Sequence, residues 1–443
     1  VPVMETVGET TYAYVLYDGY SRYGGQLAKI NCSAATPYVV WHKQVSGASG
    51  FQLSTPYLDT EARAIYIGAS NASVYNDVAI SNPVALTANT AGTVTINGLT
   101  LLTAANRVSV PVYVGHTSVA ARGTLTTEGT ATIQLGGGTA VNLTLSTTQS
   151  SSGTIYKIYE QATYDDDGEV NGYDYYYYIN HSVTASSLTD ATLSISVTLN
   201  GTGTIESVSM FANKGAVTKI TGIDSTDASG LTLTSVVSSV NGQINTPITR
   251  YGDYIYFGTW SGNTAMQYYQ VKVSDSNFTT KTMTGNNAGF YWAGAVKLGN
   301  YIYFGGDSGN LYYQPISNFG SNDDVVALTD EASDAGNVRS TIMTDGTYLY
   351  FTSQGKYLWC YKPDRDGIPE HQWHVQLAGT STSTPTLVQN SDGTTSIYTG
   401  YYSGFSAGGV QVTTVSGSTR TIDTVASGFP VQCSILYSDG YVY

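Results

Sequence analysis

Through the C-terminal half of this chain, short strands in which almost every position is apolar or aromatic return at a nearly constant interval. YIYFGTW begins at Tyr254, and its copies begin at Tyr301 (YIYFG), Tyr348 (YLYFT), Ser396 (SIYTG) and Tyr441 (YVY), at spacings of 47, 47, 48 and 45 residues. A repeat of that length, carried by strand-forming residues and punctuated by glycine, predicts propeller blades or another stacked all-β array. No long segment with a 3.6-residue apolar period interrupts it, so helices are not expected.

The N-terminal segment carries the same pattern. Residues 1–45 predict one blade, with strands at Pro2–Val7, Tyr12–Leu16, Gln26–Ile30 and Val39–Val45. A second blade opens with Gln52–Leu58, Ala64–Gly68 and Asp77–Ile80, but the next aromatic strand is delayed until Tyr254. The delay predicts an insertion of about 140–150 residues inside one blade, whose last strand is Leu231–Val240; insertion in a loop is mild because closure entropy grows only with the logarithm of length. The insert alternates apolar and small polar residues, first over Thr93–Leu102, Arg107–Val114, Gly123–Thr127, Thr130–Gln134 and Ala140–Leu145. After a serine-rich stretch it resumes over Thr154–Tyr159, Tyr173–Ile179, Thr192–Leu199, Ile205–Phe211 and Ala216–Ile220. Such period-2 segments read as one or two immunoglobulin-like β-sandwiches.

The expected organisation is therefore blades 1 and 2 begun in 1–82, a sandwich in 83–150, a second sandwich or its continuation in 151–228, and the remaining blades in 229–443. Together they make six complete blades and part of a seventh. The last blade, Val431–Leu436 plus Tyr441–Tyr443, is half-built, and three completions stay open: further chain, the N-terminal strands, or a neighbouring subunit.

Trp41-His42-Lys43-Gln44-Val45 returns as Trp373-His374-Val375-Gln376-Leu377, and each copy is followed by Ser-Thr-Pro (Ser54-Thr55-Pro56; Ser383-Thr384-Pro385) and an Ile-Tyr strand ending in glycine. Asn245-Thr246-Pro247 takes the equivalent place before Tyr254. This unit resembles the repeat of the quinoprotein-like (PQQ-like) β-propellers, over residues 1–82 and about 240–443. The resemblance implies four-stranded antiparallel blades around an axis, with tryptophans docking neighbouring blades. Quinone-dependent dehydrogenases of that family use a vicinal cysteine pair and a calcium near the quinone. No cysteines are adjacent here, so that activity is not carried over, and no cofactor is expected.

Composition narrows the function classes. With 38 Tyr, 48 Gly and 18 Lys+Arg among 443 residues, the net charge is −14 at a charged fraction of 11%. An acidic surface has no counterions to release from a phosphate backbone, which disfavours nucleic acid and anionic membranes as partners. No apolar run approaches the roughly 18 residues of a membrane span. A chain opening on Val1 is expected to have lost a leader, and the low-charge, Ser/Thr/Tyr/Gly-rich composition is that of a secreted or cell-surface protein.

Candidate chemistry is sparse. Asp165, Asp167, Glu169 and Asp174 cluster around glycines and offer the oxygens that Ca²⁺ needs; an acidic hairpin tip is the competing reading. Cys32 and Cys433 fall in blades that neighbour each other in a closed ring, where a disulfide would staple the chain ends, against buried free thiols as the alternative. Six sequons, at Asn31, Asn71, Asn142, Asn180, Asn200 and Asn277, permit glycosylation, although a chain this rich in Ser and Thr contains about that many by chance. His42 and His374 belong to the Trp-His repeat, and no hydrolase, zincin or P-loop motif is present. Tyr175-Tyr176-Tyr177-Tyr178 must place alternate rings on opposite faces of a strand. These features predict a non-catalytic, self-associating structural or adhesive surface protein, with a surface protein or glycan as partner. A carbohydrate- or protein-binding receptor module and an enzyme with its site in the central channel are the alternatives.

Overall fold

The computed structural model describes residues 2–18, 25–46, 54–69, 83–101, 103–148, 153–165, 169–212, 214–261, 265–321, 324–438 and 440–443. The chain is all-β and propeller-like: six four-stranded antiparallel sheets follow one another, and a two-stranded sheet ends the series. Five of the six are simple meanders. The first runs through Val3–Val7, Thr10–Asp18, Gly25–Asn31 and Tyr38–Ser46; the fourth, for example, through Val296–Leu298, Tyr301–Gly306, Asn310–Pro315 and Val325–Ala327.

The aromatic strands are continuous rather than alternating because they are covered on both faces. Ala64–Ala69 and Leu349–Ser353 are buried at every position. Successive side chains reach opposite neighbours: Ile255 and Phe257 pack with Tyr66 and Val217 of the second sheet, whereas Tyr256 joins Ile302 and Phe304 of the fourth. Tyr303 and Leu311 in turn meet Phe351, Trp359 and Tyr361 of the fifth sheet, and Tyr350 and Leu358 meet Ile397 of the sixth. Each cluster thus lies between two sheets, and each fully buried aromatic contributes on the order of 1.5–3 kcal/mol by leaving water.

The glycine that closes these strands has a steric cause. A Cβ on Gly68 would stand 2.4 Å from Ile244, on Gly258 2.5 Å from Phe290, on Gly305 2.2 Å from Val338 and on Gly400 2.4 Å from Val431, each partner belonging to the segment that leads into the next sheet. In the fifth sheet Thr352 takes that place, and its hydroxyl donates to the Ser383 carbonyl at 2.8 Å instead. Sheets two to seven are therefore consecutive neighbours.

The second sheet departs from the sequence reading. Its strands are Tyr57–Asp59, Ala64–Ala69, Gly215–Thr221 and Thr232–Val240, in which Gly215–Thr221 pairs with Ala64–Ala69. The segment Ala216–Ile220, assigned above to the insert, is the third strand of this blade, and the expected strand Asp77–Ile80 lies outside the described residues. Sequence alone could not choose, because a period-2 strand suits either sheet and its partner is remote.

The insert is one unit, not two. Gly92–Leu99, Ala191–Leu199, Gly129–Leu135, Val141–Ser146 and Ile155–Lys157 form one sheet; Val84–Leu86, Gly203–Ile205, Ala105–Ser118, Val170–Thr184 and Tyr159–Tyr164 form the other, to which Ser209–Ala212 adds. Both close over a single apolar core running from Leu86 to Met210. Of the two readings left open for the segment after residue 150, continuation holds: Ile155–Lys157 pairs in parallel with Val141–Ser146 in the same sheet, the chain passes to the other sheet only after Lys157, and Val170–Thr184 pairs with Ala105–Ser118 there.

In the last sheet Tyr437–Ser438 pairs with Tyr441–Val442; Val431–Leu436 is not a strand, but Val431 and Ile435 pack against Val410 of the sixth sheet. The first sheet is complete by itself, so the N-terminal strands do not fill the seventh. Among the described residues no helix is long and apolar enough to cross a membrane.

Candidate functional site: an axial cavity and a tyrosine face

Two places gather side chains of candidate function. The first is a cavity of about 310 Å³ where the segments entering sheets two to seven converge. A repeated hydroxyl sets its wall. Ser54 Oγ accepts from the Gly68 amide at 2.7 Å; Thr246 Oγ1 accepts from Gly258 N at 2.9 Å and donates to its carbonyl; Ser340 brackets Thr352 in the same way; Ser381 Oγ donates to the Gly400 carbonyl at 2.7 Å. The residue after each bracket, Thr55, Pro247, Thr341 and Thr382, lines the cavity. The Ser/Asn-Thr-Pro triplets of the sequence are accordingly not equivalent position by position: the bracketing hydroxyl is the first residue of one triplet, the second of another, and precedes the third.

Asn245, Trp292, Arg339, Thr384 and Gln432 complete most of this wall. Arg339 is fixed by Asp307, which accepts from Nε and Nη2 at 2.9 Å each and from Trp260 Nε1 at 3.0 Å. Its guanidinium also lies 4.7 Å from the centre of the Tyr291 ring. The pair leaves the wall close to neutral. Asn245 is 2% exposed, and neither its Oδ1 nor its Nδ2 meets a protein partner. Trp292 holds a left-handed backbone, φ 57°, that a bulky residue seldom adopts. The sequence reading took the tryptophans as packing anchors. Trp41 and Trp359 are buried in clusters between sheets, whereas Trp292 reaches the cavity. Arg339 and Gln432 were not picked out; the one available signal was their place just ahead of the first strand of a sheet.

The second place is the outer face of the insert. The alternation predicts opposite faces, and the structure shows which is which: Tyr175 and Tyr177 enter the sandwich core, while Tyr176, itself buried, and Tyr178 lie outside it with their rings stacked 5.2 Å apart. Across the sheet, Tyr176 is in register with both Tyr113 and Tyr159. The Tyr113 ring lies edge-on to Tyr176 at 5.3 Å, and Tyr159 tilts onto Tyr178 at 5.3 Å. The result is a stripe of four rings with Tyr159 at its exposed end.

The acidic candidates do not converge. Asp165 and Glu169 close a hairpin, the Glu169 amide donating to Asp165 Oδ1 at 2.9 Å. Asp167 lies outside the described residues. Asp174 is opposite Gln161, four residues along the strand from Val170, which places it about 14 Å from Val170 at ~3.4 Å per residue. There it pairs with His116 Nδ1 at 3.0 Å. Among the described residues no group of three or more His, Cys, Asp or Glu side chains is spaced to hold a metal.

Cys32, Cys360 and Cys433 are free, so the Cys32–Cys433 bridge is not formed. Cys433 lines the axial cavity, while Cys32 follows the third strand of the first sheet, where its amide donates to Thr11 O. Burial pushes the Cys360 thiol up to about 12. Of the sequons, Asn142, Asn200 and Asn277 are exposed, Asn31 and Asn180 are half-buried, and Asn71 lies outside the described residues.

No family model matches the sequence, and no curated protein matches it. Among solved structures, a chain of the "Crystal Structure of Mitotic Checkpoint Complex" aligns at 15% identity with a TM-score of 0.36, over 51% of this chain and 64% of its own length. The architecture described above rests on sheet order and register.

Proposed function

We propose that the chain is a non-catalytic extracellular structural and adhesive protein, in which a quinoprotein-like propeller carries an immunoglobulin-like sandwich that engages surface proteins or glycans. The observation that carries this reading is the Tyr113–Tyr176–Tyr178–Tyr159 stripe. The sandwich core is filled without these four rings. Tyrosine combines an apolar body with a wet phenol and loses little entropy when it binds, which suits contact with proteins and with the C–H faces of sugars. The Ser/Thr-rich composition and the two-layer insert carried on a series of four-stranded sheets favour display over turnover.

The test compares the wild type with Tyr159→Ala/Tyr178→Ala on glycan arrays and in self-association by sedimentation. Binding weakened at least tenfold, with the melting temperature held, is the expected result. A chain that neither binds glycans nor self-associates, or a double variant that does so as well as the wild type, overturns the reading.

A further inference from the structure

We propose that the axial cavity is a binding site for a small, uncharged, polyhydroxylated molecule of monosaccharide size, separate from the tyrosine face. Asn245 is the first reason. A carboxamide 2% exposed whose donor and acceptor both lack protein partners is costly to leave unpaired. It also lines the cavity, and a hydroxyl, able both to give and to accept, is the group that suits a carboxamide in such a wall.

The rest of the wall has the same character. Thr55 offers a hydroxyl, Thr382 a hydroxyl that donates to the Gln432 carbonyl at 3.2 Å and so meets a ligand as an acceptor, and Gln432 a second carboxamide. Arg339 spends two of its five N–H donors on Asp307, which holds the guanidinium plane and offsets its charge. A neutral ligand therefore meets oriented donors without an uncompensated charge, whereas an anion would compete with Asp307 for Arg339. Trp292 adds a flat apolar side chain of the kind that packs against a sugar ring. At about 310 Å³ the space lies at the lower end of ordinary small-molecule sites, roughly 300–1,000 Å³.

The test uses the full chain, titrated calorimetrically and by tryptophan fluorescence with D-glucose, D-galactose, D-mannose and N-acetyl-D-glucosamine, with D-glucuronate as the charged control. At least one neutral sugar should bind, more tightly than glucuronate. Asn245→Ala should weaken that binding at least tenfold without lowering the melting temperature, since removing an unpaired buried amide need not destabilise. Thr382→Val, a milder change, should weaken it at least threefold and covers the case in which the first variant folds poorly. Tyr159→Ala/Tyr178→Ala should leave it unchanged, which separates this site from the adhesive face. Failure of all four neutral sugars to bind, preference for glucuronate, or unaltered affinity in Thr382→Val overturns the proposal.

Discussion

Gly305 and Val338 approach so closely that a Cβ on Gly305 would lie 2.2 Å from Val338 Cγ1 and 2.9 Å from the Val338 carbonyl oxygen. The same relationship recurs at Gly68, Gly258 and Gly400, so the glycine of these aromatic strands serves the neighbour and not its own strand. Because backbone as well as side chain blocks the added methyl, the two sheets must separate. Gly305→Ala is expected to cost about 1–3 kcal/mol, the range for overpacking a close-packed interior. Urea denaturation measures it, and an unchanged midpoint would show that the sheets are not held at this distance.

The insert should be separable. Ala69 pairs with Ala216, so the strands that flank it already form a hairpin from which it projects. Replacing residues 70–215 by Asn-Gly, the preferred two-residue hairpin turn, should leave a folded, cooperatively melting body. Residues 83–212 alone should fold as well, since their core draws on no residue outside them. Circular dichroism and NMR dispersion of the two products test this; aggregation of both would mean that each needs the other.

His371 and His374 form a two-ring contact, Nε2 to Nδ1 at 3.1 Å, with Glu331 Oε2 3.2 Å from His371 Nδ1 and the rings of Trp359, Tyr361 and Tyr357 packed around the pair. Burial, chiefly, holds His371 below the usual imidazole range; His374 adds to this and Glu331 opposes it. The unfolded chain then takes up more protons below about pH 6.5, so this site's stability is complete above that pH and declines as pH falls toward the lowered value. NMR titration should place the His371 midpoint below ~6.5. Glu331→Gln should move it further down and His374→Gln up; a midpoint at or above the free value refutes the assignment.

Glu5 joins the first two sheets. Its carboxylate accepts from Arg63 Nη1 at 2.7 Å and from Tyr14 Oη at 2.5 Å, and Arg63 also pairs with Asp224. The Arg63 hydrogen bonds, chiefly, hold this carboxyl below its ordinary range against the opposing effect of burial. The contribution is therefore present above the unfolded value of about 4.3 and is lost as pH falls through the lower folded one. Urea midpoints from pH 6 to pH 3 should decline more steeply for the wild type than for Glu5→Gln; parallel curves would remove Glu5 from the acid response.

What the sequence determined by itself was whatever is encoded over a few residues: the strand period near 47, the apolar-aromatic character of those strands, the four sheets that follow the insert and the alternation that puts Tyr175 and Tyr177 on one face and Tyr176 and Tyr178 on the other. These follow from side-chain periodicity, which acts locally along a strand. Tertiary structure decided which strands pair and which side chains meet. Gly215–Thr221 left the insert for the second sheet because a period-2 strand is neutral between partners until Ala64–Ala69 meets it from far along the chain. Asp174 left the acidic cluster because a strand's rise, invisible as sequence proximity, carries it to His116. Asn245, Trp292, Arg339 and Gln432 became one cavity wall only when successive sheets packed at a glycine's distance. Convergence on an axis is set by packing between repeats, and no single repeat contains it.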